Sequence, residues 1–232
     1  MESLRVLELE NEIIACRKCP RLVRYREEVA RVKRRAFRDQ TYWGRPVPGF
    51  GDPRAKLFIL GLAPAAHGAN RTGRVFTGDR SGDFLYRELW RAGFANQPES
   101  RQRDDGLKLE NAFISATVRC APPQNKPLPE EIRNCTPYLE AELDLLRPRA
   151  VLALGRIAFD GYLRILKQRG AIPRTSKFQF SHGASFRLPN SLPRLYASYH
   201  PSQQNTQTGV LTPAMMASVL RKIRKFLNRD ES

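Results

Sequence analysis

The sequence predicts an α/β protein built on a mostly parallel sheet of four strands, with helices on both faces. Two observations support this class. Four short apolar runs have the length and composition of buried strands. Segments with helical periodicity lie between those runs, and strands that alternate with helices along a chain form parallel sheets that are covered on both sides.

The predicted elements follow one another from the amino terminus. One helix runs through Leu4, Leu7 and Ile14, and a second starts at Pro20, because proline suits the first turn of a helix. Residues 37–54 have no sustained period and are predicted to form a long ordered loop. The strands are predicted at 56–62, 112–118, 150–154 and 194–198, and the other helices after a cap at Ser81, from Pro129, over 155–167 and over 212–227.

The composition indicates the size of the core and the class of partner. A chain of 232 residues that is 41% hydrophobic can bury a sizeable core, and we expect residues 1–232 to form a single domain and a monomer. Lysine and arginine number 40 against 23 acidic residues, which gives a net charge of +17. Surface ion-pair networks need a closer balance of charge, so this excess favours a polyanion, and nucleic acid is the expected partner.

The hydropathy pattern of the sequence indicates where in the cell the protein is expected. The longest apolar runs are far too short to span a bilayer, and the chain opens with acidic residues rather than with a signal sequence. We therefore expect a cytoplasmic, nucleoid-associated protein.

Four cysteines are the candidate ligands of a metal site. Cys16 and Cys19 form a C-x-x-C pair, whereas Cys120 and Cys135 lie much later in the chain. Thiolates bind zinc or iron–sulfur clusters, and either would tie the amino-terminal helices to the loop after the second predicted strand. The spacing alone does not separate zinc from iron–sulfur. Disulfides and buried unligated thiols are the weaker alternatives.

Two loops leave strands at their carboxyl ends, where parallel sheets bind ligands. They are GLAPAAHGANRTGRVFTGD, residues 61–79, and YHPSQQNTQTG, residues 199–209. Together with the cysteine spacing and the segment VRCAPPQNK around Cys120, these loops resemble the motifs of the uracil-DNA glycosylase superfamily. The resemblance is closest to its family five, the thermophile-associated type B, and it runs from about Cys16 to the last helix.

This resemblance implies a three-layer α/β/α sandwich around a four-stranded parallel sheet. It also implies removal of uracil and related damaged bases from DNA by hydrolysis of the N-glycosidic bond. The metal site would then be a structural four-iron four-sulfur cluster, rather than zinc, on Cys16, Cys19, Cys120 and Cys135.

Base excision sets chemical requirements that particular residues can meet. A base inside a duplex must be flipped out and stacked in a pocket, and Phe76 can supply the stacking face, although a role as a core aromatic is the alternative. Bond cleavage builds positive charge on the sugar and negative charge on the base. The resemblance assigns the carboxylate to Asp79, because residues 61–65 lack the acidic or amide residue of several relatives. Capping of the next helix is the simpler role for Asp79.

The histidines differ in their expected roles. We expect His200 to donate a hydrogen bond to the base as its oxygen gains charge. His67, in the loop after the first strand, is expected to line the pocket or to contact phosphate. His182 is expected to be structural.

Specificity is expected to be relaxed. Ala116 stands where narrow uracil-specific relatives carry an asparagine that reads the base edge, so we expect hypoxanthine, xanthine and ethenocytosine to be accepted beside uracil. Gly61 and Ala63 allow close approach of the base to the backbone. The loop 200–209 is expected to enter the minor groove, with DNA contacts from Ser202, Gln203, Gln204 and Asn205.

Two further points stay open at this stage. No convincing clamp-binding motif is present, so a sliding clamp is left as an unproven partner. A noncatalytic, zinc-containing DNA-binding module is the alternative function. It accounts for the charge and the cysteines, but it leaves the combination of Phe76, Asp79 and His200 unexplained.

Overall fold

The structure, a computed structural model, describes residues 2–229 and is organised around one six-stranded sheet. The strands lie in the order β1-β3-β2-β4-β6-β5. The four central strands, β3, β2, β4 and β6, are parallel to one another, as the sequence predicts. The strands span Phe50–Gly51 (β1), Leu57–Gly61 (β2), Ala112–Ala116 (β3), Ala150–Leu154 (β4), Ser185–Phe186 (β5) and Arg194–Ser198 (β6).

The sheet has six strands and not the predicted four, because a short strand is added at each edge. β1 pairs antiparallel with β3, and β5 pairs antiparallel with β6. Each of these edge strands has only two residues, too few to produce a period of two in the sequence. The predicted loop 37–54 therefore contains the two-residue strand β1, and otherwise it is mostly irregular, with Tyr42 and Val47 buried.

Helices cover both faces of the sheet, which confirms the three-layer arrangement. On one face α4 and α8 pack on Ile59 and the strand residues that share its cluster, and on the other face α1, α5 and α6 pack on Phe58 and its neighbours. The helices span Glu2–Ala15 (α1), Pro20–Val32 (α2), Ala69–Thr72 (α3), Arg80–Arg91 (α4), Pro129–Leu146 (α5), Arg156–Gln168 (α6), Gln203–Gln207 (α7) and Pro213–Asn228 (α8).

The second helix is placed differently from the covering helices. Leu22 of α2 packs with Val118 and Cys120, which follow the carboxyl end of β3. The amino-terminal segment thus reaches the edge of the sheet where ligands bind in this fold class. Within residues 2–229, no helix combines the length and the apolar character needed to cross a membrane.

Candidate active site

A cavity of about 450 Å³ opens at the carboxyl edge of the parallel strands. The loop after β2 and the loop after β6 form its walls, and the end of β4 lies between those two strands in the sheet. Eight of the residues predicted for base and DNA contacts line this one cavity: Ala63, Phe76, Asp79, Ala116, His200, Ser202, Gln203 and Gln204.

Phe76 has an unusual backbone conformation. Its φ angle is 51°, in the left-handed region that aromatic residues rarely adopt. Two glycines leave space for it: a Cβ on Gly61 would lie 2.9 Å from the Phe76 ring, and one on Gly82 would lie 1.7 Å from the Phe76 carbonyl oxygen. Strained residues persist where surrounding contacts hold them, and they are concentrated at functional sites. Gly61 therefore supports the ring of Phe76 from behind and does not itself line the cavity.

Asp79 both caps a helix and faces the cavity. Its Oδ1 accepts a hydrogen bond from the backbone nitrogen of Gly82 at 3.0 Å, which makes Asp79, and not Ser81 as predicted, the N-cap of α4. Burial raises the pKa of Asp79, against the opposing effects of the backbone N–H groups of Gly82 and Ser81 and of the charge of Arg71. A desolvated carboxylate at the mouth of a cavity suits the stabilisation of positive charge that develops in a reaction.

The loop that carries Asp79 is held by Gly68 and Arg71, in roles that the sequence does not predict. A Cβ on Gly68 would lie 2.1 Å from Oδ2 of Asp79, so only glycine admits the carboxylate there. Arg71 is buried and donates to the backbone oxygens of His67 at 2.8 Å and Gly78 at 2.7 Å. These hydrogen bonds join the two ends of the segment that precedes Asp79.

His200 is held with a neutral ring. Burial lowers its pKa to about 4. Within residues 2–229 neither ring nitrogen has a hydrogen-bond partner, so both are available to a ligand. The backbone is fixed instead: the side-chain amide of Asn205 donates to the carbonyl oxygen of His200 at 2.8 Å, and His182 Nδ1 lies 3.3 Å from the nitrogen of Tyr199.

These contacts place Asn205 and His182 in supporting positions. Asn205 does not line the cavity, although it was predicted to contact DNA. The placement of His182 agrees with the structural role expected for it.

The floor of the cavity is small and apolar, with one amide at the rim. Ala116 ends β3 in register with Gly61 of β2, and Ala63 and Pro64 follow on the adjoining loop. Asn125 also lines the cavity and has a φ of 57°. Its position was missed because nothing in the segment VRCAPPQNK distinguishes one polar residue from the next. The available signal is that asparagine tolerates the left-handed conformation better than most residues do.

His67 lies outside the cavity that was predicted to hold it. Its Nδ1 is 3.1 Å from the hydroxyl of Tyr42, and burial lowers its pKa. It lines an adjoining groove of about 960 Å³ that shares Asp79 and Arg80 with the cavity. This groove also carries Arg34, Arg71 and Arg101, a charge distribution suited to phosphate.

The four cysteines come together at one place. They line a small pocket between α2, the loop after β3 and α5, and all four are free thiols, which removes the disulfide alternative. Three are buried and Cys16 is half-buried. Nη1 of the buried Arg26 donates to Cys120 Sγ at 3.0 Å, and the side chain of Asn134 donates to Cys19 Sγ at 3.4 Å.

The chemistry of this donor set is compatible with a group bound by thiolates. Among the described residues, no group of three or more His, Cys, Asp or Glu side chains is arranged to hold a metal ion. An iron–sulfur cube is larger than one ion and needs its thiolates further apart. The structure supplies four thiols around one pocket, with hydrogen-bond donors to two of the sulfurs.

Comparison with known proteins agrees with this site. A family model described as the uracil DNA glycosylase superfamily matches residues 48–224. The chain is 54% identical over 223 residues to the type-5 uracil-DNA glycosylase of Mycobacterium tuberculosis, covering 95% of this chain and 81% of the relative. The type-5 enzyme of Mycobacterium leprae is 54% identical over 221 residues, or 94% of both chains. That of Thermus thermophilus is 53% identical over 215 residues, or 92% of this chain and 94% of the relative.

The chain therefore belongs to the uracil-DNA glycosylase superfamily. The motif resemblance is confirmed, including its assignment to the fifth type.

Proposed function

We propose that this protein is a DNA glycosylase that flips uracil and other deaminated or damaged bases into the cavity and hydrolyses their bond to the sugar. One observation carries the proposal: an aromatic ring, a half-buried carboxylate and a neutral imidazole, from Phe76, Asp79 and His200, meet around a single cavity. Charge complementarity supports DNA as the substrate, since the groove beside the cavity carries several arginines. Chromosomal DNA in the nucleoid is the proposed setting.

The reaction assigns a different task to each of the three side chains. The base stacks on Phe76, and its glycosidic bond breaks with the bonding electrons leaving on the base. Asp79 stabilises the positive sugar and orients a water molecule, while a ring N–H of His200 donates to a base oxygen as that oxygen becomes negative. Water adds to the sugar carbon, and the base takes up the proton that the water releases.

The neutrality of His200 matters for this scheme. A pKa of about 4 means that the ring carries no charge near pH 7. A neutral donor stabilises the departing base without neutralising the nearby Asp79. The strong hydrogen bond therefore forms only as charge develops on the base, which favours the transition state over the bound substrate.

The range of bases follows from the floor of the cavity. Ala116 presents no donor or acceptor to the base edge, and Ala63 and Pro64 beside it are apolar. Sites that select by hydrogen bonds reject analogues strongly, whereas apolar sites discriminate only weakly. Hypoxanthine, xanthine and ethenocytosine should therefore be released beside uracil.

The four cysteines are proposed to hold a four-iron four-sulfur cluster with a structural role. Cys16, Cys19, Cys120 and Cys135 would hold the cluster, and their positions would then tie the start of α2 to α5 and to the loop after β3. The protein's own contribution is the pair of donors Arg26 and Asn134, which orient Cys120 and Cys19. The cluster takes no part in breaking the glycosidic bond in this proposal.

Single-turnover kinetics with defined duplexes tests the function. Purified protein is mixed in excess with labelled duplexes that carry uracil, hypoxanthine, xanthine or ethenocytosine, and abasic sites are scored after alkaline cleavage. We expect cleavage of all four, with rates spread over less than about three orders of magnitude. The Ala116→Asn variant should widen that spread in favour of uracil. A wild-type preference for uracil by several further orders of magnitude would remove the broad-specificity proposal.

The same protein preparation distinguishes the glycosylase from the alternative function, a noncatalytic zinc-containing DNA-binding module. A brown protein with about four irons per chain supports the cluster, whereas a colourless zinc protein that binds DNA and cleaves no substrate supports the noncatalytic module.

A further inference from the structure

A second basic groove lies beside α6, outside the cavity described above. It encloses about 650 Å³ between one face of α6 and the segment 175–180. Arg156, Asp160, Arg164 and Lys167 line it at the spacing of one helical face. Phe178 and Phe180 form part of the opposite wall. We call this feature the α6 groove.

The cations of the α6 groove are not neutralised by the protein. Arg156, Arg164 and Lys167 are exposed, and within residues 2–229 none of them has a salt-bridge partner. Asp160 is the one acid lining the groove. By contrast, Arg169 just beyond the same helix faces α5 and pairs with Glu140 at 2.9 Å and Asp144 at 2.7 Å. The groove therefore holds an excess of positive charge directed at solvent, which favours an anionic ligand.

The aromatic residues of the groove do not offer free faces for stacked bases. Phe180 packs against Phe159 with ring centroids 5.6 Å apart, and the guanidinium of Arg156 lies 5.3 Å from its centroid. Phe178 packs edge-on against Phe186 at 5.5 Å. Single-stranded nucleic acid binds by stacking bases on exposed aromatic faces. The groove thus suits phosphates rather than bases.

The α6 groove lies next to the candidate active site. Arg156 is two residues after β4, and a Cβ on Gly155 would lie 3.3 Å from Cβ of His200. The ring of Phe180 is 6.2 Å from that of Tyr199, the residue before His200. The arginine groove described above shares Asp79, Arg80 and Gln203, among others, with the cavity, whereas the α6 groove has no lining residue in common with either, so the two basic grooves are separate.

We propose that the α6 groove binds backbone phosphates of the substrate duplex to one side of the flipped nucleotide. The proposal rests on the glycosylase function and names a further part of its DNA-binding surface. From Arg156 to Lys167 the helix rises about 16 Å, the axial rise of roughly five nucleotides. Contacts on both sides of the cavity hold the duplex in register while one base is turned out.

The salt dependence of binding tests the proposal. The variant Arg164→Gln/Lys167→Gln is compared with a matched control, Arg221→Gln/Lys225→Gln, which removes the same charge from exposed positions on α8. The probe is a duplex with a 2′-fluorinated deoxyuridine, which resists cleavage. We expect the slope of log Kd against log salt to fall by about 2 in the α6 variant and to be unchanged in the control.

Duplex length provides the second arm. The probe is shortened stepwise, first on one side of the deoxyuridine and, in a second series, on the other. Shortening on only one of the two sides should abolish the difference in Kd between the α6 variant and wild type. Equal slopes in the α6 variant, the control and wild type overturn the proposal, as does an equal loss in both variants. A difference that persists with the shortest duplexes also overturns it, because it indicates a small-anion site.

Failure of the groove and failure of the function are separable. The control variant Arg221→Gln/Lys225→Gln should cleave a uracil duplex at the wild-type single-turnover rate. If wild type cleaves no substrate, the glycosylase function fails, and the binding experiment still decides whether the groove contacts the duplex.

Discussion

A methyl group on Gly82 would lie 1.7 Å from the carbonyl oxygen of Phe76. The same Gly82 donates its backbone N–H to Asp79. One glycine in the first turn of α4 therefore permits the left-handed backbone of the aromatic residue and donates a hydrogen bond to the candidate carboxylate. The two side chains share a single support, so their relative position is fixed.

Substitution of Gly82 by alanine should destabilise the protein and suppress cleavage. Alanine normally stabilises a helix by about 0.5–1 kcal/mol relative to glycine, so helix propensity alone would raise the Tm. A lower Tm would therefore report the clash with Phe76. Gly161→Ala is the matched control, because a Cβ at that position in α6 makes only ordinary contacts at 3.6 Å. Thermal unfolding and single-turnover rates measure both effects. A Gly82→Ala protein with a raised Tm and the wild-type rate would contradict the shared support.

The cleavage rate should show no inflection from His200 between about pH 6.5 and pH 8. His200, with a pKa of about 4, is already neutral across that range. The pKa of Asp79 is raised above its ordinary 3.8, so the carboxylate is lost as pH falls through that raised value and the rate declines on the acid side. Single-turnover rates across pH measure the profile. An inflection near pH 6.5 that disappears in His200→Gln would show that the protonated imidazole is involved instead.

Replacement of Arg26 by glutamine should release iron and lower stability. Arg26 is 2% exposed, and it donates to Cys120 Sγ and to the carbonyl oxygen of Cys16 at 3.3 Å. Loss of these charge-assisted hydrogen bonds should cost about 2–3 kcal/mol. Arg24→Gln, an exposed change on the same helix, is the control. Iron content, visible absorbance and chemical denaturation measure the effect. If the Arg26→Gln and Arg24→Gln proteins had the same iron content and the same free energy of unfolding, Arg26 would have no role in stabilising the cysteine site.

Much of the fold could be predicted from sequence because the apolar runs are strong and separate. The four parallel strands and the starts of α2 and α5 at Pro20 and Pro129 agree with the structure to within two residues. β1 and β5 could not be predicted, because strands of two residues leave no periodic signal. The single-domain organisation of residues 1–232 stays a prediction.

The site residues whose side chains carry chemistry could be predicted from the sequence. The glycines that leave space for neighbouring atoms could not. Phe76, Asp79 and His200 were found from their motifs, whereas Gly68 and Gly82 act through the absence of a side chain. The spacing in the sequence allows either Asp79 or Ser81 as the N-cap of α4, and the structure has Asp79 there. A glycine within the first helical turn was the available signal, because helix interiors disfavour glycine unless a neighbour requires the space.

The central claim is that the Asp79 carboxylate drives bond cleavage, and Asp79→Asn tests it most directly. Asparagine caps a helix as well as aspartate does, so the variant should fold with nearly unchanged Tm while losing the charge. We predict that its single-turnover rate on a uracil duplex falls by about 10²-fold or more, with unchanged Kd for the uncleavable duplex. A folded Asp79→Asn protein that cleaves uracil at the wild-type rate would contradict the claim.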